Sequence, residues 1–156
     1  RSSYWNRTVF LVAADHDNRV RGANLVPIRH YHIPGLIIGP DIPPSRYTPV
    51  ASQIDLPPTL LSLMGISGAH PMIGRDLTLP PRPDGGRAIM QYAGNQAYRL
   101  GDQVIILQPE QAPVQYTYRN RQLEDRRPPA PNLAAEALAH ALWPSLAYRK
   151  HYHALP

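Results

Sequence analysis

The chain has 156 residues, 43% hydrophobic, with 16 lysines and arginines against 11 acidic residues and a formal charge of +5. This is enough for one domain with a proper core. The absence of cysteine excludes disulfides and thiolate metal sites, and no apolar run reaches the ~20 residues needed to cross a bilayer. The positive charge is nearly all arginine and is scattered, with Arg126-Arg127 the adjacent pair. That gives neither the basic stripe nor the reading motif of a nucleic-acid binder. A solvated basic surface and attraction to anionic head groups or a phosphate-bearing substrate both remain open. Nineteen prolines forecast many turns. No stretch of these residues reads as a signal peptide, and the chain opens on Arg1 with a strand expected almost at once. It reads as a piece of a longer protein.

Residues 1–7 read as the end of a helix or loop feeding the first strand, with Tyr4 and Trp5 packing against neighbours. The stretch Thr8 to Asn18, TVFLVAADHDN, then organises everything after it. The run Val9 to Ala14 is apolar, β-branched at Val9 and Val12, and short, which predicts a strand buried on both faces of a parallel sheet. Ligands in open α/β sheets bind beyond the carboxyl ends of strands, and here that end carries Asp15 and His16. Carboxylate oxygen and neutral imidazole nitrogen both suit a divalent ion. Adjacent residues on a straight strand face opposite ways, so both can ligate only if the chain already turns there. The competing reading is an ordinary strand-end turn.

Residues 19–32 form an extended loop by their Gly22, Asn24 and Pro27, and Arg19, Arg21, Arg29, His30 and His32 make it basic. Arg19 and Arg21 are candidates for contacting a substrate anion. His30 and His32 share a face if the stretch is extended, as a ligand pair or as hydrogen-bonded structural residues. Ile33 to Gly39 predicts a second short buried strand, and a proline-rich loop follows over 41–49. Ser52 to Gly65, SQIDLPPTLLSLMG, reads as a helix. Asp55 caps it, Pro57 and Pro58 fit its first turn, Leu60, Leu61, Leu63 and Met64 supply its apolar face, and Gly65 stops it.

The order of these words, ending in H-P-M-I-G-R-D-L at His70 to Leu77, resembles the C-terminal part of sulfatase-like enzymes of the alkaline-phosphatase superfamily. The lipoteichoic-acid synthase and phosphoglycerol-transferase branch looks nearest, and Q-I-D-L-x-P-T-L-L is the strongest word. The likeness covers roughly Val9 to Leu77. It implies that Asp15 and His16 contribute to a divalent metal site holding manganese, magnesium, calcium or zinc. It implies a phosphodiester or sulfate ester as substrate, possible lipid linkage of that substrate, and a covalent intermediate. It further implies a periplasmic location, at the extracytoplasmic face of the inner membrane, with the anchor in a missing N-terminal part. The family nucleophile and remaining ligands lie upstream, and nothing matching that segment is present, nor is a C/S-x-P-x-R word. No catalytic nucleophile is therefore assigned within the chain, and Thr8 and Thr59 are not promoted to that role. True sulfatase or related phosphatase chemistry, and a non-catalytic binding module on the same scaffold, are the rivals.

Pro80, Pro81 and Pro83 with Gly85-Gly86 read as a linker, dividing the chain into 1–80, part of the α/β catalytic domain, and 81–156, a small subdomain. Strands are predicted at Ala88 to Tyr92, Gln96 to Leu100, Gln103 to Leu107 and Val114 to Tyr118, punctuated as an antiparallel meander. Gln115, Thr117 and Arg119 alternate with Val114, Tyr116 and Tyr118, the pattern of a sheet wet on one side. Asn132 to Trp143 predicts a helix capped by Asn132, with Leu133, Ala137, Leu138, Ala141 and Leu142 as its apolar stripe and His140 on the surface. Pro144 ends or kinks it, Ser145 to Tyr152 continue, and His151-Tyr152-His153 reads as a disordered tail. The fold class expected is α/β: the C-terminal fragment of an alkaline-phosphatase-like α/β/α sheet, then a small antiparallel sheet with a C-terminal helix.

Overall fold

The computed structural model describes residues 3–15 and 25–152. A short 3-10 turn, Trp5–Arg7, leads into strand β1, Phe10–Ala13. Trp5 stacks on Phe10 at 5.9 Å between ring centroids and Tyr4 meets the same ring edge-on at 6.3 Å, so the aromatic entry packs as its composition suggests. β1 pairs with β2, Gly35–Ile38, and here the expectation is corrected: the pairing is antiparallel, Phe10 opposite Ile38 and Ala13 opposite Gly35. Val12 is 58% exposed and Leu36 53%, so the pair is not buried on both faces in this chain. An apolar run signals a tendency to be buried; it carries no information on strand direction.

The predicted helix over 52–65 is a 3-10 turn, Gln53–Asp55, running into helix α1, Leu56–Leu63, with Gly65 in the left-handed region at φ 68°. Its buried residues are Pro58 and Thr59, while Leu60, Leu61 and Leu63 are half-buried and Met64 is exposed. The apolar stripe is thus not what seats α1. Thr59 does so, donating to the Asp55 carbonyl at 2.6 Å and accepting from the Leu77 N–H at 2.9 Å.

Five strands follow in simple meander order: β3, Arg87–Tyr92; β4, Asn95–Leu100; β5, Gln103–Leu107; β6, Val114–Arg119; and β7, Gln122–Arg127. Ala93 and Gly94, both at positive φ, form the tight β3–β4 turn, and Gly101 opens the next. β7 was not foreseen. It pairs with β6 through a turn at Asn120 and Arg121, both at positive φ, with a bulge between Gln115 and Thr117.

Helix α2, Pro131–Arg149, continues past Pro144, so Pro144 does not end it. Pro131 takes the first helical position and Ala130 the cap, so Asn132 is not the cap. α2 lies on one face of the sheet, where Ala137 and Leu133 pack with Tyr98, Ile105, Ile89 and Leu107. The opposite face, Met90, Ala97, Val104 and Ile106, is covered by Val26 and Ile28 with Leu25 and Tyr31. The sheet is therefore dry on both sides. Gln115 and Thr117, expected to be wet, are 6% and 2% exposed. Gln115 donates to Gln103 at 2.8 Å and accepts from the Ala130 N–H at 2.8 Å, and Arg127 donates to Thr117 at 3.1 Å and to Gln103. These bonds satisfy the polar groups that burial would otherwise leave costly.

Candidate functional site

Asp15 follows β1 at a bend. Its backbone is held on both sides of the preceding peptide. The Ala14 N–H donates to the Pro34 carbonyl at 3.2 Å, and the Gln53 side-chain amide donates to the Ala14 carbonyl at 3.1 Å. Gln53 is the first letter of the Q-I-D-L word, so that word braces the end of β1. The Asp15 side chain is exposed and lines a broad open cleft together with His30, His32, Tyr47, Gln53 and Arg99. His16, Arg19 and Arg21 lie outside the described residues.

His30 and His32 do not share an extended face. Ile28–Tyr31 is a 3-10 turn, with His30 half-buried within it and His32 exposed just after it. Ile28 is buried in the core, and this explains the turn: an apolar anchor under the sheet outweighs the extended bias of the neighbouring prolines. Among the described residues no group of three or more His, Asp and Glu side chains converges as a metal cage. An exposed carboxylate on a braced backbone is nonetheless a chemically suitable single donor for a divalent ion.

A second aspartate sits in the opposite environment. Asp55 and Arg87 are each 1% exposed and form an ion pair, Arg87 Nη2 to Asp55 Oδ1 at 3.0 Å and Nη1 to Oδ2 at 3.3 Å. Asp55 also accepts from the Ser52 N–H at 2.8 Å and the Arg75 N–H at 2.7 Å, and Arg87 donates to the Ile73 carbonyl at 2.9 Å. Ser52 completes a capping box with Asp55, and its hydroxyl accepts from the Ile89 N–H at 3.2 Å. Capping was therefore only part of the role of Asp55. It joins the Q-I-D-L turn, the I-G-R-D-L segment and β3 at one buried point. Gly74 belongs to the same joint, since a Cβ there would stand 1.9 Å from the Ile54 carbonyl oxygen.

On the α2 side, Tyr98 donates to Glu136 at 2.6 Å, and burial followed by that bond pushes its hydroxyl pKa up. His140, expected on the surface, stacks on the Tyr98 ring at 5.1 Å and 18°. Burial, then the nearby Arg87 charge, holds its imidazole below the usual range. The expected disordered tail is also corrected in part. His151 and Tyr152 turn back at the end of α2, and Tyr152 packs on Trp143 at 5.9 Å.

A two-stranded antiparallel pair and a short helix, clamped through buried charges to a five-stranded meander under a terminal helix, define a mixed α/β fold with its open cleft at the end of β1. Residues 1–66 match the Sulfatase family model. The whole chain is similar to the crystal structure of a protein in the alkaline phosphatase superfamily from Vibrio parahaemolyticus, with a TM-score of 0.90 and 44% identity. The match covers 99% of this chain and 38% of that one, so the chain has the fold of a fragment of that superfamily protein.

Proposed function

We propose that this chain is the C-terminal part of an extracytoplasmic hydrolase or transferase acting on a phosphodiester or sulfate ester, nearest to the phosphoglycerol-transferase branch. The observation that carries the reading is the 44% identity along 99% of the chain to an alkaline-phosphatase-superfamily protein, with Asp15 lining the cleft. Asp15 and His16 would hold a divalent ion, which when bound polarises an ester oxygen and favours an ionised nucleophile. Within this chain, the braces at Ala14 fix the backbone from which Asp15 projects, so the carboxylate needs little reorganisation to bind a cation. Arg19 and Arg21 would offset negative charge on the transferred group. The nucleophile, the other ligands and a membrane anchor belong to an upstream part of a longer protein.

The test is Asp15→Ala and His16→Ala in the full-length protein, read by bound metal per protein and by turnover of a phosphodiester and an aryl sulfate. Both variants should lose metal and fall by orders of magnitude in turnover while melting as wild type does. Wild-type metal content and turnover in both would sink the reading. A second reading, a non-catalytic module on the same scaffold, is favoured by the burial of Asp55 in a structural joint: the strongest resemblance word can persist without chemistry. Full metal loading without turnover of either ester would favour it.

A further inference from the structure

We infer that Gln53 is a positioning residue for the cation site at Asp15, and that the meander holds Gln53 in place through the outer edge of β3. The inference rests on the reading of Asp15 as a ligand and concerns what sets its place. The Ala14 N–H donates to the Pro34 carbonyl at 3.2 Å, and the Ala14 carbonyl accepts from Gln53 Nε2 at 3.1 Å. One bond fixes the planar peptide before Ala14 and the other the peptide after it, so both backbone dihedrals of Ala14 are pinned. The second of these peptides carries the Asp15 nitrogen, and its plane governs where the Asp15 side chain leaves the backbone. A carbonyl only accepts, so this position calls for a side-chain donor. Glutamine supplies one without charge, whereas lysine or arginine would bring a cation towards the ligand of another cation. Gln53 is exposed, so its bond to Ala14, not burial, is what its side chain gives to the end of β1.

The residues flanking Gln53 are buried and fastened to the meander. β3 ends the five-stranded sheet, with β4 on one side of it. Its other edge is taken by the segment from Val50 to Asp55. Val50 bridges Gly86 in parallel and donates its N–H to the Gly85 carbonyl at 3.1 Å. The Ser52 hydroxyl accepts from the Ile89 N–H at 3.2 Å, and Asp55 pairs with Arg87 at 3.0 Å. Gly74 closes on the same turn at the Ile54 carbonyl, where a Cβ would not fit. With its turn held before and after it, Gln53 delivers its amide to a carbonyl 39 residues away from a backbone that is already placed. The route runs from β3 through Ser52 and Asp55 to Gln53, then to the Ala14 peptide and Asp15. It gives the meander a part in cation binding through the backbone.

The experiment titrates manganese into the full-length protein after stripping with a chelator, and reads both affinity and the electron-spin resonance spectrum of the bound ion. Gln53→Met keeps the length of the side chain and removes the donor. It should weaken manganese binding about three- to tenfold, the worth of one neutral hydrogen bond. It should also alter the bound-ion spectrum while melting as the wild type does, because Gln53 is exposed. Ser52→Ala should lower the melting temperature and weaken manganese by no more than Gln53→Met does. With Gln53→Met already present, Ser52→Ala should still lower the melting temperature yet leave manganese affinity where it was. Affinity and spectrum unchanged in Gln53→Met, in a protein whose Asp15→Ala variant loses manganese, would overturn the inference and leave the ligand reading standing. Manganese retained by Asp15→Ala would overturn that reading and the inference with it. Fully additive losses of affinity from Ser52→Ala and Gln53→Met would overturn the route through β3.

Discussion

Asp15 and Asp55 make an instructive pair. Both follow or precede apolar stretches, and the sequence reads Asp15 as a metal-ligand candidate and Asp55 as a helix cap. Asp15 is exposed at the end of a strand whose own faces are partly open, with a backbone braced by two hydrogen bonds. Asp55 is 1% exposed, accepts from two backbone N–H groups and from both terminal nitrogens of Arg87, and has no oxygen left for a ligand. The difference teaches that burial together with full pairing marks Asp55 as structural, whereas exposure beside the cleft marks Asp15 as reachable from solvent. A buried charge is tolerable only when fully paired.

The comparison can be broken most directly at the joint. Arg87→Met leaves the Asp55 carboxylate buried without its counter-ion and should cost about 3–5 kcal/mol in urea unfolding. Asp55→Leu combined with Arg87→Met should cost less than the two single losses added, because neither charge is then stranded. Strict additivity would mean the two groups do not act as a pair. Gly74→Ala should cost about 1–3 kcal/mol or more, since its Cβ would stand 1.9 Å from the Ile54 carbonyl oxygen and backbone must move. A variant as stable as wild type would show that the joint is looser than its geometry.

A smaller effect is expected at His140, whose imidazole is held below its usual range by burial and by Arg87, against the opposing pull of Glu136. The unfolded chain binds its proton more readily, at a pKa of about 6.5. The stabilising contribution is thus complete above that value and is lost as pH falls through the lower folded value. His140→Phe keeps a ring on Tyr98 and should make the acid-side loss of stability shallower; identical pH profiles would remove His140 from that loss. The smallest change in stability belongs to Asp15→Ala, under about 0.5 kcal/mol, as expected for an exposed side chain. A loss above 1 kcal/mol would put Asp15 in the same structural class as Asp55 and dissolve the contrast.

The sequence disclosed these regions unequally. Four of the meander strands were legible because Gly94 and Gly101 mark tight turns and the runs between them fit short strands. β7 was not, because QLEDRR carries one apolar residue and its turn places Arg121, which announces nothing, at positive φ. The position of Asp15 at a strand end was visible in the apolar run, but the antiparallel partner of β1 was not. Arg87 was invisible as a partner of Asp55, being 32 residues away, and charge pairing over that distance leaves no local pattern. The turn holding His30 could have been suspected from Leu25, Val26 and Ile28, an apolar cluster that a wholly solvated loop would not need.

The apolar cover that Val26–Tyr31 lays under the meander also bears on how the chain reaches this state. Every pairing in the five-stranded sheet joins neighbours through a short connection, so the strands can assemble rapidly from local hairpins. Their cover comes from more than fifty residues earlier, and its closure carries the entropy of that loop. During synthesis from the N-terminus, Val26 and Ile28 emerge well before the surface that buries them. The meander in turn, once formed, has Met90, Val104 and Ile106 bare until the older segment docks. A chain cut within residues 81–86 would keep those hairpins and lose their lid, leaving a sheet with one sticky face and a tendency to aggregate.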